Sequence, residues 1–147
     1  MKFNIIVMML LAVAVTSCKT SQKSAKEEKS PLCGVQWNLI SIEGLNVENL
    51  EFASQPCIIF YDNGNFSGNF GCNTFFGEYF QKKNKMELTY KGSTKKLCND
   101  MELERKMMKA LKKEIRQYEI DGKTLILYEG KDEVLRFEDS GIRVEDN

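Results

Sequence analysis

Phe66-Ser67-Gly68-Asn69-Phe70-Gly71-Cys72-Asn73-Thr74-Phe75-Phe76-Gly77-Glu78-Tyr79 carries the pattern of a β-strand, a sharp corner and a second strand. Apolar rings recur here among small and polar residues, and Gly68, Gly71 and Gly77 punctuate them. A glycine inside a strand pattern marks a bulge or a close backbone approach, and one at a corner accepts a positive φ. The three glycines therefore suit a bulge or a sharp strand-to-strand corner. Asn73 then stands where its side chain can bond the backbone that such a corner exposes.

Working outward, the neighbouring segments are short and β-like. Residues 57–61 and 65–70 flank Asp62-Asn63-Gly64, whose Asn-Gly pair tolerates the positive φ angles of a tight hairpin. Upstream, residues 36–42 place Trp37 and Leu39 on one face, with Trp37 as a core anchor. Downstream, 77–81 and 85–90 pair across Lys82-Lys83-Asn84, and 117–120 pairs with 124–128 across Asp121-Gly122. A last strand, 134–137, follows Glu129-Gly130. Between the fifth and sixth strands the period changes. Asn99-Asp100-Met101-Glu102 has the form of a capping box, and Met101, Met108, Leu111 and Ile115 then recur at helical spacing, with Lys106, Lys109, Lys112 and Lys113 largely off that face. The methionine stripe reads as core packing. About eight strands and one inserted helix predict a mainly β fold: a small antiparallel barrel or strongly curved sheet with the α-helix packed on it. The tight hairpins leave no room for parallel crossovers.

The N-terminus carries a different message. Lys2 precedes an almost unbroken apolar run over residues 3–15, and Val15-Thr16-Ser17-Cys18 closes it in the form of a lipobox. A run of about 13 residues is too short for the ~20 of a membrane-spanning helix and fits a secretory signal. The expectation is a lipoprotein signal peptide at 1–17, with lipid attached to Cys18. Residues 19–30 hold no large apolar side chain, so 18–30 reads as a flexible tether. Its Lys19, Lys23, Lys26 and Lys29 outnumber Glu27 and Glu28. With no acidic residue directly after Cys18, the expected location is the bacterial outer membrane, lipid-anchored and facing the periplasm. Residues 31–147 have the length of one domain.

Five cysteines are present, and lipid on Cys18 leaves Cys33, Cys57, Cys72 and Cys98. An even remainder in an exported chain suggests two disulfides, with three connectivities open. Thiol catalysis is a poor fit, since no Cys-x-x-Cys pair and no histidine is present to lower a thiol pKa. Four widely spaced cysteines also lack the paired-ligand pattern of zinc, so no metal and no cofactor are expected.

The quoted stretch resembles the core motif of META domains, the HslJ-like family. Trp37-Asn38-Leu39 is similar to that family's opening motif, Thr94 through Cys98 to its second cysteine segment, and Glu104 with Leu111 to the helix that follows. Asp121-Gly122, Leu125, Leu127, Leu135 and Phe137 complete the resemblance over most of 34–138. The usual small apolar residues before the second motif cysteine are replaced here by Lys95-Lys96-Leu97. The resemblance implies a lipocalin-like β-barrel with an added helix, association with the cell envelope and no enzymatic mechanism. It also implies that Cys72 pairs with Cys98, since both stand in family-like motifs; Cys33 and Cys57 remain as the second pair. Asn73, Thr94 and Glu104 are the polar motif residues, read either as a recognition site or as a buried structural network.

Composition narrows the function classes. Basic and acidic residues balance at 21 each, and the tether takes part of the basic share, which leaves the domain weakly acidic and argues against nucleic acid as partner. The absence of histidine removes the commonest general base. The expectation is a non-enzymatic envelope lipoprotein with a monomeric binding or stress-tolerance domain. Its partners are the membrane, through the N-terminal lipid, and an envelope protein. Two further readings are a carrier of a small apolar ligand in the barrel, motivated by Phe60, Phe66, Phe70, Phe75, Phe76, Tyr79 and Phe80, and an inhibitor or partner subunit acting through the loop near Cys72.

Overall fold

A computed structural model describes residues 29–99 and 101–145. The expected signal peptide, Cys18 and the tether up to residue 28 lie outside the described residues. Nine strands and one helix follow in order: β1 (Val35–Ile42), β2 (Leu45–Asn46), β3 (Cys57–Phe60), β4 (Asn65–Asn69), β5 (Thr74–Lys82), β6 (Lys85–Ser93), α1 (Glu102–Leu111), β7 (Gln117–Asp121), β8 (Thr124–Glu129) and β9 (Asp132–Arg143). All pair antiparallel in one strongly curved sheet, which closes into a ring where β9 returns to β1. Leu39 pairs with Phe137 there, and Ile42 with Leu135. The eight segments read from the sequence are all strands, and the two-residue β2 is additional. β2 shares one edge of β1 with β3, pairing Ser41 and Ile42 after β3 has paired Gln36, Trp37 and Asn38.

Strand alternation fills the ring. Along β5, Phe75 and Gly77 point inward while Phe76, Glu78 and Phe80 point out, the period of two that a strand imposes. Trp37, Phe60, Phe66, Phe75, Leu125, Leu127, Leu135 and Phe137 form the core with Met86. Full burial of each contributes about 1.5–3 kcal/mol relative to exposure. Trp37 also donates its indole N–H to Leu32 O at 3.0 Å, so its one polar atom is satisfied. Of the seven aromatic rings expected inside, Phe76 and Phe80 are outside, 57% and 64% exposed, because their register puts them on the other face.

β6 and β7 join at one residue pair, Lys85 with Gln117, and α1 occupies the connection between them. The helix buries Met107, Ala110 and Leu111, with Ile115 just beyond, and comes against β1. Its core face thus passes through Met107 rather than Met108, which is half-buried, one residue off the expected stripe. The helix's N-cap is Met101, without a side-chain cap bond, rather than Asn99 as the capping-box reading implied, and Asp100 lies outside the described residues. Glu102 and Glu104 complement the helix dipole in the first turn. The helix entrance is held instead by a disulfide at Cys98 and by a bond network through Glu104.

Cys33 and Cys57 are not disulfide-bonded to one another, which corrects the second expected pair. Cys33 bridges to Phe60, at the opposite end of β3 from Cys57. Three strand residues span roughly 10 Å, beyond the ~7 Å limit between bridged Cα atoms. The Cys33 thiol instead lies 3.0 Å from the Tyr79 hydroxyl, which itself donates to Tyr61 O at 2.8 Å. Burial pushes the Cys57 thiol up, against a smaller opposing effect of the Asn69 backbone.

Ser30, the last tether residue by the sequence reading, belongs to the folded unit. Its N–H donates to Gly122 O at 3.0 Å, and its hydroxyl to Asp139 Oδ2 at 2.5 Å.

Candidate functional site: the Cys72 corner

β4 ends at Asn69 and β5 begins at Thr74, and the four residues between them build the corner. The Asn69 side chain accepts the Gly71 N–H at 2.6 Å, and Phe70 N–H donates to Asn73 O at 2.8 Å. Gly71 has φ +107°, a conformation that side chains rarely adopt. On either side, Gly68 and Gly77 leave space for rings from the neighbouring strand. A Cβ at Gly68 would collide with Cys57 O and the Phe75 ring, and one at Gly77 with Thr89 O and the Phe66 ring. Beside Gly77, β6 carries a bulge, since Phe76 pairs with Gly92 and Gly77 with Tyr90.

Cys72 is disulfide-bonded to Cys98, with the Cα atoms 6.4 Å apart. Asn73, 1% exposed, occupies the centre of the corner. Its Oδ1 accepts from the Thr94 hydroxyl and from Lys96 N–H, both at 2.7 Å. Its Nδ2 donates to Lys96 O at 3.0 Å and to the Glu104 carboxyl, whose oxygens are both at 3.0 Å. The Asn73 backbone N–H adds a bond to Glu104 Oε2 at 3.1 Å, and Thr94 Oγ1 accepts Thr74 N–H at 3.2 Å. The three polar residues singled out in the sequence are thus in one network. Both functions of the Asn73 amide are filled, and the network ties the β4–β5 corner, the segment after β6 and the first turn of α1 to one point. Among the described residues, no buried side-chain nitrogen or oxygen lacks a partner.

Two clefts flank this network, and Glu104 belongs to the walls of both. The larger, about 930 Å³, is bounded by Leu45, Leu50, Phe52, Phe70, Leu103 and the Cys72–Cys98 bridge. Glu51 and Glu102 stand at its margin, with Lys106 2.7 Å from the Glu102 carboxylate. The smaller, about 460 Å³, has Tyr90, Met101 and Met108 as apolar walls, with Lys95, Lys96 and Leu97 at its side. Sequence reasoning missed Leu45, Leu50 and Phe52. The only signal was apolar residues in the aperiodic stretch 43–56, which no strand or helix period organises.

A family model described as META domain matches residues 30–141. None of the curated proteins compared with the chain matches it. Three solved structures are similar in fold. A protein solved by NMR is 25% identical, with TM-score 0.56 over 74% of this chain and 92% of its own. A second NMR structure, from Burkholderia xenovorans, is 20% identical, with TM-score 0.60 over 74% of this chain and 83% of its own. A crystal structure of a DUF4847 family protein from Bacteroides vulgatus is 16% identical, with TM-score 0.51 over 73% and 93%.

Proposed function

Because the chain belongs to the META domain family, we propose that it is a non-enzymatic binding protein of the bacterial cell envelope. Lipid on Cys18 holds it to the periplasmic face of the outer membrane, and the cleft beside Cys72–Cys98 receives an apolar segment of a partner envelope protein. The observation that carries the binding role is that cleft. Its volume of about 930 Å³ is at the upper end of the ~300–1,000 Å³ of clefts that take small ligands, which is room for a few apolar side chains of a partner. Leu45 and Leu50 are 44% and 48% exposed at its edge, across from a wall held by the disulfide and by the Asn73–Glu104 bonds. One fixed wall facing accessible apolar side chains favours association, because less ordering remains to be done on binding. Packing supports a site outside the ring over a carrier inside it, since Trp37, Phe60, Phe66, Phe75 and Phe137 occupy the interior. The anchoring role rests on Val15-Thr16-Ser17-Cys18.

The test is photocrosslinking in intact cells from a reactive side chain placed at Leu50, followed by membrane fractionation. A discrete adduct in the outer-membrane fraction, absent when the probe is moved to Glu119 on β7, is the expected result. Equal labelling from both positions, or no adduct from Leu50, overturns the proposed site.

A further inference from the structure

Leu97 is 95% exposed, the most exposed of the large apolar side chains described. The chain on either side of it is fixed. Lys96, just before it, has both its N–H and its C=O bonded to the Asn73 side chain, and Cys98, just after it, is bonded to Cys72. A single exposed apolar side chain is ordinary on a protein surface; what distinguishes Leu97 is that its loop is fixed on both sides and stands beside a basic face.

The charge around Leu97 indicates what that is. Lys95 and Lys96 are exposed beside it. Across the smaller cleft, Met101, Arg105, Met108 and Lys112 recur at helical spacing and share one side of α1 and its ends. Arg105 and Lys112 are exposed, and Lys112 Nζ sits 5.0 Å from the centroid of the Tyr90 ring in the cleft wall. Of the two carboxylates of the helix, Glu102 is paired with Lys106 on another side, and Glu104, bonded to Asn73, is the one acid in the wall of the smaller cleft, so the cations outnumber it. The face combines four cations, an apolar floor of Tyr90, Met101 and Met108, and one projecting leucine.

We propose that this face is a peripheral membrane contact, in which Lys95, Lys96, Arg105 and Lys112 take the phosphates of anionic phospholipids and Leu97 enters the acyl boundary. Basic side chains gather at an anionic surface through its potential, and an apolar side chain at the same spot adds the burial that a cation cannot supply. The contact rests on the anchored reading for its biological setting. A lipid at the N-terminus does not by itself set how the domain faces the membrane, and this face gives it one orientation. The Asn73–Thr94–Glu104 network thereby acquires a consequence outside the core, since it fixes the loop that carries the leucine.

The experiment uses the full chain purified from membranes, its N-terminal mass read first, in vesicles of phosphatidylcholine with or without phosphatidylglycerol. The single tryptophan, Trp37, is fully buried and gives a constant background. Leu97→Trp then reports quenching by lipids brominated on their acyl chains. The expected result is quenching about threefold or more stronger with phosphatidylglycerol, lost on adding Lys95→Glu and Lys96→Glu and weakened by salt. Quenching that is weak and equal in the two vesicles overturns the contact. So does quenching that inorganic phosphate abolishes at constant ionic strength, which assigns the recess to a free anion. A chain without lipid on Cys18 refutes anchoring alone, because the same chain added to preformed vesicles still reads the quenching.

Discussion

Asn73 and Glu104 lie 31 residues apart and meet through both the backbone N–H and the side-chain amide of Asn73, at 3.0–3.1 Å. Glu104 is 6% exposed and Asn73 1%, so this link closes away from solvent. It joins a corner of the sheet to the helix that fills the gap between β6 and β7. The same amide holds the Lys96 backbone, which makes one side chain the common fixture of three segments.

Replacing Asn73 by Ala removes the amide partner of the Thr94 hydroxyl, of both backbone groups of Lys96 and of the Glu104 carboxyl, which keeps only the backbone N–H of residue 73. Each buried polar group left unpaired costs about 1–3 kcal/mol, though local rearrangement recovers part of the sum. The expected loss is about 3 kcal/mol, or roughly 10 °C in Tm for a domain of this size. Thermal unfolding followed by circular dichroism measures it. An unchanged Tm with lost crosslinking from Leu50 would instead mark Asn73 as a recognition residue.

The disulfide closes a loop of 26 residues in sequence separation. Loop-closure entropy assigns it about 3.5 kcal/mol. Cys98→Ser is expected to lower stability by that order, and a reductant is expected to do the same to the native chain without affecting the variant. Non-reducing peptide mapping of the exported protein should yield the Cys72–Cys98 linkage with Cys33 and Cys57 alkylatable. Cys33 should react first in the folded state, because it is half-buried and Cys57 is buried.

Much of this architecture was legible in the sequence because it rests on local rules. Asn63-Gly64 and Asp121-Gly122 stand at the hairpin turns β3–β4 and β7–β8, and alternation in residues 36–42 pointed to β1. The glycines of the corner could be read for the same reason, since a position without a Cβ implies a neighbour that needs the room. Long-range relations were less accessible. The sequence cannot reveal that Cys33 meets Phe60 rather than Cys57, because that depends on where the segment before β1 docks on β3. Phe76 and Phe80 carry the same hydrophobicity as Phe75, and only the register decides which faces water. The polar trio of the corner was legible through the resemblance to the META motifs. The apolar wall contributed by Leu45, Leu50 and Phe52 was not, because the segment they occupy is organised by docking instead of by period.

Gly77 tests the close approach inside the ring. Gly77→Ala places a methyl against the Phe66 ring and the Thr89 carbonyl, and the carbonyl belongs to backbone that cannot rotate away. Overpacking of this kind costs about 1–3 kcal/mol, and the upper end is expected here because the obstruction is backbone. Guanidinium unfolding of the variant should show a lowered midpoint. A midpoint equal to wild type would mean that β5 and β6 separate more readily than their paired register implies.

The pH dependence of stability is expected to centre on Asp139. The Arg143 guanidinium holds its carboxyl at about 2, helped by the Ser30 hydroxyl and Gly141 N–H, while burial opposes them. The unfolded value is about 3.9. A folded pKa below the unfolded one means that the contribution is complete above pH ~4, where both states are ionised. As pH falls from there, the unfolded chain takes up the proton first, so stability declines through the window and the contribution is gone below pH ~2. Glu43 and Glu133, held below the usual carboxylate range by Lys113 and Arg136, add to the acid slope, so the signature of Asp139 is a difference. Asp139→Asn should flatten the stability profile between pH 4 and 2 by roughly one proton's worth of slope and leave the Glu43 and Glu133 part intact. Denaturant titrations at several pH values check it, and an unaltered slope would detach Asp139 from the acid transition. Because Asp139 also accepts from Ser30, the same protonation loosens the N-terminal edge of the domain. Ser30→Ala should therefore reproduce a fraction of the effect, with hydrogen exchange at Ser30 and Gly34 rising before the core strands open.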